Sequence, residues 1–246
     1  MGFGEILFPS LAVMTADRPT LAEGIPDRLY GRRRGHVLRP RQQRLLDLTL
    51  PRLTFTDPAR PFPHAVAGLW LEVGFGGGEH AHALSRANPD VGYIASEVFE
   101  NGLCSLLTRL VPDGEEETGA LPPNLRLWPR DARHLIAALP EGSLDKLILL
   151  FPDPWPKARH AKRRFVNPAL LPAIARAVRP GGEWRIASDD PTYQAWVSET
   201  LARQDAFAVP PPATARPEGW PGTRYEAKAL REGRQPLYWS LTRRGT

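Results

Sequence analysis

The chain has 246 residues, 42% of them hydrophobic, enough to bury one full core, so a single α/β domain with additions is expected. Its net charge of +5 suits a polyanionic partner, while the lone cysteine, Cys104, excludes a disulfide framework and a cysteine-rich zinc site and fits a reducing, cytoplasmic setting with no metal. No apolar run approaches the roughly 20 residues that cross a bilayer, and the Met1 to Met14 stretch lacks the basic start and cleavage site of a secretory signal, so no membrane partner is expected.

Residues 1–65 are rich in Pro and Arg, with Tyr30-Gly-Arg-Arg-Arg-Gly-His36 and Arg39-Pro-Arg-Gln-Gln-Arg44, and read as an extended, partly mobile basic arm around Arg32 to Arg34. From residue 66 to 246 short apolar runs alternate with longer periodic segments, which predicts strand–helix–strand units and a parallel sheet. Strands are expected at Leu69 to Val73, Gly92 to Ser96, Leu125 to Trp128, Lys146 to Phe151, Glu183 to Ala187 and Pro236 to Thr242. Helices are expected from about Glu79 to Ala87, Phe99 to Val111, Ala132 to Leu139, Pro168 to Val178 and Tyr193 to Gln204, with a proline-rich connection over Pro210 to Gly222 and a surface loop at Glu115 to Glu117.

Ligands of an open α/β sheet sit beyond the carboxyl ends of its strands, and four acidic residues fall there: Glu72, Glu97, Asp131 and Asp153. The glycine run that starts at Gly74 and Gly76 lets the backbone come close to a ligand. A dinucleotide fingerprint would need glycine where Glu79 stands, and a carboxylate there would repel a pyrophosphate. S-adenosylmethionine, with its sulfonium and ammonium groups, fits these carboxylates better; Glu97 suits the ribose hydroxyls and Asp131 the adenine amine.

In Phe151-Pro-Asp-Pro-Trp-Pro-Lys157 the prolines stiffen a loop that sets Asp153 beside Trp155, an acid and a flat ring suited to recognising a guanine. N7 of guanine has a free lone pair and loses no proton on methylation, so there Asp153 is required to orient and to stabilise charge; at an amine target it would take a proton. Lys157, Arg159, Lys162, Arg163 and Arg164 follow at once, where an RNA backbone would lie, and about five neutralised phosphates would give a log–log salt slope of roughly −4.

Leu71-Glu-Val-Gly-Phe-Gly-Gly-Gly78, Phe151 to Lys157 with its basic tail, Ala187-Ser-Asp189 and Thr223-Arg-Tyr-Glu226 together resemble the bacterial tRNA (guanine-N7-)-methyltransferases. The likeness spans residues 69 to 243, and Arg33 to Gly35 with Gln42-Gln43-Arg44 resembles the family's amino-terminal element. It implies a Rossmann-like, S-adenosylmethionine-dependent methyltransferase fold, α/β, with a mostly parallel seven-stranded sheet and helices on both faces. It further implies tRNA as partner, methylated on a guanosine of the variable loop, with Glu72, Glu97, Asp131 and Asp153 at the donor and Asp153 catalytic. Lys157, Asp189, Thr223, Arg224, Tyr225 and Glu226 match the substrate-binding positions, and Arg159, His160, Ala161, Lys162, Arg163 and Arg164 the RNA-contacting segment. Asp190 and Pro156 depart from the family pattern. The rivals are a methyltransferase of another RNA base, whose loop would place two prolines before the aromatic where only Pro154 stands, and a non-catalytic RNA-binding module. Monomer and homodimer are both compatible with the sequence.

Overall fold

The structure is a computed structural model that describes Leu21, residues 27–31 and residues 33–245; the Met1 to Met14 stretch and Arg32 lie outside the described residues. Its centre is a seven-stranded sheet in the order β3-β2-β1-β4-β5-β7-β6. The strands are β1 (Leu69–Val73), β2 (Gly92–Ser96), β3 (Leu125–Trp128), β4 (Leu144–Leu150), β5 (Val178–Ser188), β6 (Phe207–Ala208) and β7 (Leu237–Arg243). The first five run parallel, while β7 lies antiparallel between β5 and β6. The helices are α1 (Pro40–Arg44), α2 (Leu50–Leu53), α3 (Glu79–Ala87), α4 (Glu100–Leu110), α5 (Ala132–Ala138), α6 (Leu171–Ala177), α7 (Pro191–Ala202) and α8 (Arg224–Arg231). No helix among the described residues is long and apolar enough to cross a membrane.

The sheet separates two apolar layers, as alternation along each strand requires. Leu69, Leu71 and Val73 of β1 join Leu147 and Leu149 of β4 in packing under α5, α6 and α7. On the other face, Tyr93, Ala95, Leu125, Leu127 and Ile148 meet α3 and α4. Glu72 lies between Leu71 and Val73, so the pleat turns it toward this second face, where Tyr93 stands.

Three expectations change. Residues 40–53 are not an extended arm: α1, a π-helical turn over Leu45–Thr49 and α2 form one helical segment. Leu45, Leu50 and Leu53 are buried beside α4. Pro40 is tolerated because it sits in the first turn, where a missing N–H costs nothing, and Pro51 falls where the π-helical turn gives way to α2. The Glu115 to Glu117 loop is no mere surface insertion either. Glu116, 3% exposed, accepts from Arg41 and Arg44, and its carbonyl accepts from Thr49 Oγ1, so this loop holds the helical segment in place. Burial raises the Glu116 carboxyl pKa, but bonds from Arg44, from the Glu116 and Gly114 amides and from Arg41 outweigh it and hold it at about 2. Finally, β5 begins at Val178 and not at Glu183, because Val178 already pairs with Leu144 before the register shifts at Lys146, so Gly181 and Gly182 lie inside the strand.

Candidate active site

The strand order reverses direction between β1 and β4, and residues following β1, β2 and β3 line a cleft beside that point, at the carboxyl ends of the strands. The glycine run after β1 needs its glycines: Gly74, Gly76 and Gly78 have φ of 70°, 58° and 77°. A side chain on Gly76 would also strike Tyr225, whose ring lies 2.9 Å from where its Cβ would be. Glu97, after β2, fixes this turn by accepting from the amides of Gly76, Val98 and Phe99 at 2.8, 2.8 and 3.0 Å. Burial pushes the Glu97 carboxyl up, against the downward pull of these amides, and the Asp153 charge adds to the rise.

The cleft has an open volume of about 540 Å³, including space shared with solvent, and Gly74, Glu97, Asp131, Leu29, Tyr30 and Arg163 are among its walls. Asp131 caps α5 and holds Arg133 through both carboxylate oxygens, at distances from 2.5 to 3.0 Å, so it meets the cleft as part of an ion pair.

After β4, Phe151 and Trp155 adopt φ of 50° and 44°, a strained region for residues with large side chains, and the prolines between them keep the turn from relaxing. This projects Asp153 outward, exposed and without a hydrogen bond among the described residues. Trp155 is packed rather than free to stack: the edges of Tyr30 and His160 meet it, and the Arg163 guanidinium lies 4.9 Å from its ring centre.

The basic segment forms a 3₁₀ helix over Ala158–Arg163 that divides its charges. Lys157, Arg159 and Lys162 are exposed, and Ala161 is half-buried. Arg164, expected in the RNA-contacting segment, is 6% exposed, donates to the carbonyls of Pro154 and Trp155, and stacks on Trp196, so here it braces the loop. Arg163 turns inward between Tyr30 and Trp155, its Nε buried with no hydrogen-bond partner. His160 packs on Trp155; burial, then Arg163, Arg159 and Lys157, lower its pKa, so its ring is neutral at pH 7.

The Thr223-Arg-Tyr-Glu226 string begins α8, a helix that is not among the elements expected from the sequence. Thr223 and Glu226 form a reciprocal capping box, with the Thr223 hydroxyl accepting from the Glu226 amide at 3.0 Å. Glu226, a substrate-binding position by resemblance, is buried and also accepts from Tyr238 and Arg216. Tyr225 stays 42% exposed against the glycine turn, and Arg224 stacks on it at 5.0 Å. Asp189 is bound by Arg234 at 2.6 Å, and the unusual Asp190 caps α7 through the Tyr193 amide. Two site residues escaped the sequence reading: Tyr30, taken for part of a mobile arm, and His80, which faces Glu72 from the first turn of α3. A histidine two places after a glycine turn carries no signal of its own, while Tyr30 between glycine and arginine could have been noticed as an aromatic in a basic stretch.

This sheet order, with a glycine turn after β1 and acidic residues after β1, β2 and β4, defines a Rossmann-like methyltransferase. Residues 67–238 match the family model described as a putative methyltransferase. The 16S rRNA methyltransferase KamB shares the fold, with a TM-score of 0.52 and 18% identity over 74% of this chain and 90% of that one. The chain is 65% identical over 220 residues to the tRNA (guanine-N(7)-)-methyltransferase of Granulibacter bethesdensis, covering 89% of this chain and 96% of that one. It is 47% identical to the enzyme of the same name from Rhodospirillum rubrum, with 88% of each chain covered. The chain belongs to the tRNA (guanine-N7-)-methyltransferase family.

Proposed function

We propose that the protein transfers the methyl group of S-adenosylmethionine to N7 of a guanosine in the tRNA variable loop. The observation that carries this reading is Asp153, exposed and without a hydrogen bond among the described residues, on the loop after β4, its Oδ2 near Gly31 beside the cleft-wall residue Tyr30, with Lys157, Arg159 and Lys162 exposed in the segment that follows. The residues present fit the donor: positive-φ glycines permit close backbone approach, and Glu72 and Glu97 supply negative charge for its cationic groups. When bound, S-adenosylmethionine supplies an electrophilic methyl group on sulfur.

Glu72 then faces the amino-acid end, Glu97 the ribose through what acceptor capacity its amide bonds leave, and Asp131 the adenine alongside Arg133. Asp153 orients the guanine and offsets the positive charge that its ring gains as the N7 lone pair forms the new bond, and no proton has to leave. Lys157, Arg159 and Lys162 hold the RNA backbone as point charges. Tyr225 and Thr223 border the donor end of the site.

The test is to incubate the protein with labelled S-adenosylmethionine and unmodified tRNA, digest the product and locate the methyl group. 7-Methylguanosine in the variable loop is expected. Label on an exocyclic amine, or no transfer, overturns the reading.

A further inference from the structure

Glu72 is 2% exposed, yet its surroundings are polar in a particular way. The Tyr93 hydroxyl of β2 lies 2.5 Å from its Oε2, and Nδ1 of His80, in the first turn of α3, lies 3.1 Å from the same oxygen. An ionised carboxylate only accepts, so both neighbours donate. Burial, then the Glu72 charge and the bond to Glu72, raise the Tyr93 pKa well above its ordinary value, which keeps its proton in place for this contact. Oε1 takes no hydrogen bond from a described residue. Beside it lies a small cavity lined by Glu72, His80, Gly74, Thr223 and Tyr225.

The imidazole has no other polar employment. Its Nε2 is buried without a partner among the described residues, so the fold bears a desolvation cost at this position that an apolar side chain would avoid. The bond to Glu72 is its only described hydrogen bond. A carboxylate held through one oxygen by two donors from different elements cannot turn over without breaking both bonds.

We propose that His80, with Tyr93, is a positioning residue: together they lock Glu72 so that Oε1 is presented to the ammonium end of the methyl donor. This rests on the reading that Glu72 contacts that donor. The experiment measures the Kd of S-adenosylhomocysteine and the separate KM values for donor and tRNA in wild type, His80→Gln, His80→Asn, Tyr93→Phe and Glu72→Gln. Asn can set its amide nitrogen where imidazole Nδ1 stands, whereas Gln reaches toward the Nε2 position. Loss of a bond to a charged group should weaken donor binding about tenfold in His80→Gln and in Tyr93→Phe, with the tRNA KM unchanged. His80→Asn should restore it to within about twofold.

Wild-type donor affinity in folded His80→Gln, or His80→Asn as weak as His80→Gln, overturns the proposal. If His80→Gln does not fold, Tyr93→Phe decides alone, since undiminished donor affinity there is equally fatal. Glu72→Gln separates the two levels: unchanged affinity in that variant refutes the donor-site reading itself, while a loss there with none in the His80 and Tyr93 variants refutes only the positioning role.

Discussion

The two walls of the cleft are held by different physics. On the β1–β2 side, Glu72 and Glu97 stand at the ends of paired strands, and the register Glu72↔Ala95 and Val73↔Ser96 places them before any side-chain bond is counted. On the other side, loops lie where arginines pin them: Arg164 to the carbonyls of Pro154 and Trp155, Arg234 to Asp189, Arg216 to Glu226. The lesson is that a basic residue near an RNA-binding site has two possible jobs. A guanidinium with several donors can tie irregular backbone together as readily as it can meet a phosphate.

The largest expected effect is at Asp153, which belongs to the pinned wall but takes no hydrogen bond from it. Asp153→Ala should cut kcat by about 10²–10³-fold, a loss typical of removing one electrostatic group from a transition state, while leaving Tm unchanged. A near-wild-type kcat, measured on unmodified tRNA, would show that the acid is a bystander. Arg164→Ala should act in the opposite sense. Removing two charge-assisted bonds to buried carbonyls should cost about 2 kcal/mol, or roughly 5 °C in Tm, with the salt dependence of tRNA binding unaltered. An unchanged Tm with a shallower salt slope would return Arg164 to the RNA surface.

That pair of outcomes bears on the salt slope. With Arg163 and Arg164 turned inward, three exposed charges remain, so roughly −2 to −3 replaces the slope of roughly −4 that five phosphates would give. Replacing Lys157, Arg159 and Lys162 together by Ala should flatten the slope by about that amount and leave thermal stability near wild type. If the slope persists, the RNA lies elsewhere.

The same division explains what could be read from residues alone. Strands β1, β2 and β3 were legible to the residue because a parallel strand buried on both faces is a short apolar run between breakers, and the carboxylates at their ends were legible with them. α8 was not, because its signature is a cap, Thr223 with Glu226, on an eight-residue helix with only Glu226 and Ala229 buried. The helical segment 40–53 was hidden by its prolines and arginines. The roles of Arg163 and Arg164 depend on which way the 3₁₀ helix turns them, which charge patterning does not encode. Tyr30 and His80 became visible only once chain segments distant in sequence were brought together.

The smallest expected effect tests arginine pinning away from that wall, beside α4 and β3, where α1 and α2 dock. Arg41 and Arg44 hold Glu116, and Arg41 also donates to the Val111 carbonyl at 2.7 Å. The folded Glu116 pKa of about 2 lies below its ordinary value of 4.5, so the carboxylate form favours the folded state. Its contribution is fully present above about pH 4.5 and is lost as pH falls from there toward 2. Urea midpoints followed downward from pH 6 should therefore decline in wild type more steeply than in Glu116→Gln, which starts less stable and has no proton to take up at this position. Docking by apolar burial alone predicts no such difference, because Leu45, Leu50 and Leu53 bury the same apolar surface at every pH. Parallel curves for the two proteins would mean that apolar burial alone docks the segment and that the arginine contacts add nothing measurable.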